Sequence, residues 1–300
     1  MSNELPYEFI NLWPDAAPGS EGGSLEERWE ERSPDTAAFF DRAITAVTTP
    51  RIALFRPAKS NGCSVLLAPG GGYVRVVWDK EGVDVARWLT GLGVTVGLLI
   101  YRLPAEGHRN GRDVPLQDAQ RGLRLLRAHA EASGLDPARV GVMGFSAGGH
   151  VAASLATRFD ASVYARVDAH DDLSARPDFA LFGYPVVSME AVLAHPGSRL
   201  NLLGESPDPS TVAAYSAECC GRSDSPESFI FLPDDDAAVP PENGVQLYLA
   251  LRRAGVPAEL HVFREGGHGF GIRLAKGPVT AWTGLCEAWL RHNGWFGTAT

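Results

Sequence analysis

The chain is poor in the features that mark several large classes of protein. Its 300 residues include only four cysteines, Cys63, Cys219, Cys220 and Cys286. Adjacent cysteines such as Cys219 and Cys220 rarely bridge each other, and the set has no metal-ligand spacing. They read as reduced structural thiols, with no metal expected. Basic residues number 27 against 36 acidic ones, a formal charge of -9, and no basic run stands out. Nucleic acid is therefore not an expected partner, because phosphate neutralisation needs clustered Lys and Arg. No stretch reaches 18 consecutive apolar residues, so no membrane-spanning helix is expected. The opening residues, Met1-Ser2-Asn3-Glu4-Leu5-Pro6, lack both the charged and the apolar region of a secretion signal. A cytoplasmic location is expected, with export left open for a precursor whose signal peptide has been removed. Internal repeats and low-complexity tracts are also missing.

What is present is an apolar content of 45%, ample for a sizeable core. One domain over residues 1–300 is expected. Its first 50 residues, rich in Pro, Gly and Glu, read as an irregular N-terminal arm packed on the rest. From Arg51 onward, strand signals alternate with helical ones. Strands are expected at Ile52–Phe55, Ser64–Ala68, Val94–Tyr101, Val140–Met143, Phe179–Phe182, Phe229–Leu232 and Ala258–Phe263. Asp79 is placed to cap a helix ending near Gly91. Further helices are expected from Leu116 to Ala130, after Gly148, over Glu242–Arg253 and over Val279–His292. The pattern is that of an α/β protein with a mostly parallel, doubly wound sheet. Ligands then collect at the carboxyl ends of the strands. The weakly periodic stretches at 159–177 and 186–222 read as solvated loops over that face.

Gly144-Phe145-Ser146-Ala147-Gly148 lies between a strand signal and a helix signal. A sharp strand-to-helix turn can lift a serine hydroxyl clear of the sheet edge, and it needs small residues on both sides of the serine. Ser146 is the candidate nucleophile. A serine hydroxyl is inert until a base takes its proton, so a histidine held by a carboxylate must follow. His268 lies in Gly266-Gly267-His268-Gly269-Phe270-Gly271, just after the last strand signal. Asp234, Asp235 and Asp236 follow the strand at Phe229–Leu232. Asp236 is preferred because it lies closest to Val239-Pro240-Pro241, where a helix can begin and favour an ionised carboxylate; Asp235 is the alternative. Backbone N–H groups for a developing oxyanion are expected from Ala147 and from Gly71 and Gly72 in Pro69-Gly70-Gly71-Gly72-Tyr73. That glycine run lacks the Gly-Lys-Ser/Thr ending of a phosphate loop. Tyr73 and Trp78 fit either a substrate-binding wall or the core. Arg102 and Asp118 read as a structural ion pair. Trp282, Trp289 and Trp295 fit internal packing and a homodimer contact equally well.

With these pieces placed, the sequence resembles the α/β-hydrolase superfamily, and within it the bacterial acetylxylan-esterase-like (carbohydrate acetylesterase) branch. The resemblance rests on Leu12-Trp13-Pro14, the Pro69–Tyr73 run, Tyr101-Arg102-Leu103-Pro104, the Ser146 elbow through His150, Asp236-Ala237-Ala238-Val239-Pro240 and the His268 loop. It implies an α/β-hydrolase fold with helices on both faces of the sheet. It also implies a serine esterase without metal or cofactor, acting on a small acylated substrate, often an acetylated sugar or oligosaccharide. Pro69 stands where a lipase His-Gly-Gly-Gly motif would place histidine, so lipase substrates are not implied. Rival expectations are a general short-chain carboxylesterase, a serine peptidase, and a hydrolase-fold binding protein that has lost catalysis.

Overall fold

The structure, a computed structural model, describes residues 6–21 and 25–296. The chain begins with β1 (Tyr7–Asn11), β2 (Arg28–Glu31), β3 (Arg42–Thr45), β4 (Arg51–Phe55), β5 (Ser64–Ala68) and the short β6 (Val76–Val77). A single π-helical turn at Asp79–Val83 runs into α1 (Asp84–Gly91), then β7 (Thr95–Ile100), α2 (Val114–Ala132), β8 (Val140–Phe145) and α3 (Ser146–Arg158). The second half adds β9 (Phe179–Gly183), α4 (Pro196–Leu203), α5 (Pro209–Ala214), β10 (Glu227–Pro233), α6 (Glu242–Arg253), β11 (Ala258–Phe263) and α7 (Trp282–His292).

Among the described residues, eight strands form one sheet in the order β1-β4-β7-β5-β8-β9-β10-β11, and β2, β3 and β6 form a smaller one. From β7 to β11 every neighbouring pair is parallel, whereas β1 and β4 add an antiparallel margin. The architecture is the expected α/β-hydrolase fold. Strands β5, β7, β8 and β9 are near-continuous apolar runs with every residue buried, as a sheet covered on both faces requires. The margins differ: β11 mixes partly buried and exposed residues, and β1 is mostly exposed. In chain order the sheet grows from β5 outward to β7, then returns to β8 on the other side of β5. That reversal opens a crevice at the carboxyl ends of β5 and β8, where Ala68 is paired with Gly144.

Three expectations need correction. Among the described residues up to 50, the arm is not irregular throughout: β1 pairs with β4 from Tyr7 opposite Phe55 to Asn11 opposite Arg51, and β2 and β3 pair with each other. Asp79 does not cap a helix. Its carboxylate instead takes the Arg42 backbone N–H at 2.6 Å and guanidinium contacts at 3.0 and 2.8 Å. The Arg42 guanidinium brings a full positive charge and two donors, which outcompete the backbone N–H groups a cap would bind. The segment 186–222 is not a plain loop, since it carries α4 and α5, which start at the side-chain caps His195 and Asp208.

The N-terminal segment is tied down through a buried ion pair. Arg102 and Asp118 have fully buried side chains 2.8 Å apart. Asp118 also accepts from the Trp13 indole at 3.0 Å, and Arg102 donates to Pro18 O at 2.7 Å. Trp282 is fully buried and stacks on Phe231, with centroids 4.4 Å apart; Trp295 lies 4.8 Å from Phe179, which favours internal packing for both.

Candidate active site

Ser146 is the first residue of α3 and has φ +53°, a left-handed conformation that the strand-to-helix turn imposes on a non-glycine residue. The turn is tight enough that a Cβ on Gly148 would overlap the carbonyl oxygen of Ala68 at the end of β5. The small residue expected there is thus required by close approach of two backbones.

Ser146 Oγ donates to His268 Nε2 at 2.8 Å. His268 Nδ1–H donates to Asp236 Oδ2 at 2.7 Å. The other carboxylate oxygen, Asp236 Oδ1, accepts the N–H groups of Ala238 and Val239, each at 2.9 Å. The acid's side chain is 1% exposed and that of the histidine 24%. These bonds hold the imidazole in the tautomer whose Nε2 lone pair faces the serine, and they leave the carboxylate well solvated by backbone dipoles. Asp235 is directed elsewhere, accepting the Gly267 N–H at 2.8 Å.

The glycine run after β5 lies beside this chain. Gly72 has φ +64°, and its carbonyl accepts from Asn201 Nδ2 of α4 at 2.9 Å. Among the described residues, no acceptor takes the N–H of Gly71 or Gly72. Ala147 lies in the first turn of α3, where amide groups have no partner within their own helix. Gly70 differs from its neighbours: its N–H is spent on Glu81 Oε2 at 2.8 Å.

Tyr73 and Trp78 do not form an open substrate wall. They are 2% and 0% exposed. Tyr73 donates to His150 Nδ1 at 2.7 Å, and Trp78 packs edge-on against Tyr7 and Trp29. Both rings are buried, which favours the core over the substrate wall that the sequence also allowed; Trp78 directly follows β6 and lies against Tyr7 of β1 and Trp29 of β2.

Two residues near the site escaped the sequence reading. Glu81, on the π-helical turn, is 3% exposed and accepts from Tyr184 Oη at 3.0 Å. His195 caps α4 and accepts the Ser198 N–H on Nδ1 at 3.1 Å. Burial, followed by the charge of His268, lowers the pKa of His195, while Asp236 opposes the shift. Neither residue lies in a recognisable motif; the only local signal was the capping position of His195 before Pro196. A cavity of about 580 Å³ lined by Phe39, Phe40, Trp88 and Arg273 lies apart from Ser146, Asp236 and His268. Among the described residues, no cluster of His, Cys, Asp and Glu is arranged to hold a metal, and no helix is long and apolar enough to cross a membrane.

Against known proteins, the family model described as BD-FAE matches residues 70–251. An acetylxylan esterase of Xylanibacter ruminicola is 34% identical over 241 residues, covering 79% of this chain and 47% of the relative. An endo-1,4-beta-xylanase B of Butyrivibrio fibrisolvens is 32% identical over 208 residues, covering 69% of this chain and 32% of the relative. The chain therefore spans half or less of these two relatives' lengths. The crystal structure of an acetyl ester-xyloside bifunctional hydrolase from Caldicellulosiruptor lactoaceticus superposes with a TM-score of 0.77 at 34% identity, covering 99% of this chain and all of the other.

Proposed function

The chain belongs to the BD-FAE family, and from that premise we propose that it is a serine carboxylic-ester hydrolase that removes short acyl groups, acetyl above all, from sugars or oligosaccharides derived from xylan. The observation that carries this reading is the hydrogen-bonded sequence Ser146–His268–Asp236, with links of 2.8 and 2.7 Å. In the proposed reaction Ser146 Oγ attacks the ester carbonyl as its proton passes to His268 Nε2. Asp236 keeps the imidazole oriented and stabilises the imidazolium. The N–H groups of Gly71, Gly72 and Ala147 receive the negative charge on the carbonyl oxygen. His268 then protonates the departing alcohol, leaving an acyl group on Ser146. Water, deprotonated by the same imidazole, releases the acid and restores the serine.

Support for an acetylated sugar comes from the relatives, one an acetylxylan esterase and one an acetyl ester-xyloside bifunctional hydrolase. No metal or cofactor takes part in the proposed steps. The proposal is tested by turnover on esters from acetyl to octanoyl, acetylated xylose, acetylated xylan and a peptide amide. Fastest turnover on acetylated xylose or acetylated xylan supports it. A preference for octanoyl esters points to a general carboxylesterase, and cleavage of the amide to a peptidase.

A further inference from the structure

The π-helical turn Asp79–Val83 sits between the two loops on which the proposed reaction depends. Such turns are rare, and they occur disproportionately at functional sites. On one side, Glu81 Oε2 accepts the Gly70 N–H at 2.8 Å. Gly70 directly precedes Gly71 and Gly72, and it abuts the nucleophile: a Cβ built on it would lie 2.8 Å from Ser146 Cβ. On the other side, Glu81 Oε1 accepts the Tyr184 hydroxyl at 3.0 Å, and that same hydroxyl accepts the Gly271 N–H at 3.0 Å. Gly271 closes the loop carrying His268, and the Tyr184 ring packs edge-on against the imidazole with centroids 5.1 Å apart. Tyr184 itself has φ +35°, a strained conformation for a tyrosine, immediately after β9.

We propose that Glu81 is a positioning residue for the reaction: through one buried carboxylate it fixes the Gly70–Gly72 loop relative to the His268 loop. This rests on the esterase reading above. Both carboxylate oxygens are committed to donors, and the residue is 3% exposed, so it has no route to substrate. Its effect reaches the chemistry through the placement of the Gly71 and Gly72 amides, which must point at the oxygen of the tetrahedral state and not at the ground-state carbonyl. A shift of the Gly70 amide would therefore weaken transition-state binding and leave ground-state binding almost unaltered.

The experiment compares Glu81→Ala, Glu81→Gln, Tyr184→Phe and Ser146→Ala on p-nitrophenyl acetate, with each variant's thermal unfolding measured beside its kinetics. Glu81→Ala is expected to lower kcat about 100-fold with KM within about threefold of the parent. Gln can still accept from Gly70 and donate to the Tyr184 oxygen, so Glu81→Gln should recover kcat to within about tenfold of the parent. Tyr184→Phe cuts only the arm to Gly271 and should lower kcat by about fivefold at unchanged KM. A folded Glu81→Ala with kcat near the parental value overturns the inference, as does a loss confined to KM or Gln performing no better than Ala. If Glu81→Ala fails to fold, Glu81→Gln and Tyr184→Phe decide: parental kcat in Tyr184→Phe, or a Gln variant as inactive as Ser146→Ala, overturns it. An active Ser146→Ala, by contrast, would remove the esterase reading itself.

Discussion

His268 donates through Nδ1 to Asp236 at 2.7 Å, and that carboxylate is held in turn by two backbone amides. The adjacent Asp235 points to the Gly267 amide instead. The two neighbouring acids therefore make opposite predictions. Asp236→Asn presents a donor to Nδ1 and favours the wrong tautomer, so kcat on p-nitrophenyl acetate should fall by about 10³- to 10⁴-fold. Asp235→Asn keeps an oxygen that can accept the Gly267 N–H and should stay within about tenfold of the parent. Equal losses from the two substitutions, measured side by side, would argue against the assignment of the acid.

The Arg102–Asp118 pair predicts a stability effect with no direct role in chemistry. Asp118→Ala leaves a fully buried guanidinium without its carboxylate and frees the Trp13 indole. Urea unfolding should show a loss of about 3–5 kcal/mol. A loss below about 1 kcal/mol, the range of exposed pairs, would show that the N-terminal segment is anchored by other contacts.

His150 predicts an acid limb to stability. Burial pushes its pKa down to about 4 from an ordinary 6.5, against the opposing hydrogen bond to the Tyr215 carbonyl. The unfolded chain therefore binds this proton more readily than the folded one. Stability from neutral His150 is complete above the ordinary value and is lost as pH falls toward 4, about 2 kcal/mol of it between pH 7 and pH 5. His150→Gln should be less stable at pH 7 but show a shallower decline over that interval. Parallel declines for parent and variant would assign the acid sensitivity to other groups.

The parts of the fold set by short-range pattern are legible in the sequence. The apolar run at Val94–Tyr101 reads as a buried strand because every residue of β7 is covered, and the Gly-x-Ser-x-Gly spacing marks the turn that places Ser146 in a left-handed conformation. What escaped depends on partners distant in the chain. Asp79 has the look of a helix cap, yet Arg42, 37 residues earlier, takes its carboxylate. Tyr7–Asn11 carries too few buried residues to signal a strand and gains that form only by pairing with β4. Glu81 reads as an ordinary charged residue in Asp79-Lys80-Glu81; its partners Gly70 and Tyr184 lie 11 and 103 positions away. Trp78 follows the glycine loop closely, but the β6 pairing turns it toward Tyr7 and Trp29 and away from the cleft.

The central claim is that the Ser146 hydroxyl attacks the ester and carries the acyl group. It is tested most directly by rapidly quenching the protein with p-nitrophenyl acetate and locating the acetylated peptide by mass spectrometry, alongside kcat/KM for Ser146→Ala. The account predicts transient acetylation at Ser146 and a loss of at least about 1,000-fold in the variant with its unfolding temperature unchanged. Ester hydrolysis persisting near the parental rate in a folded Ser146→Ala, or acetyl groups found only elsewhere, would contradict it.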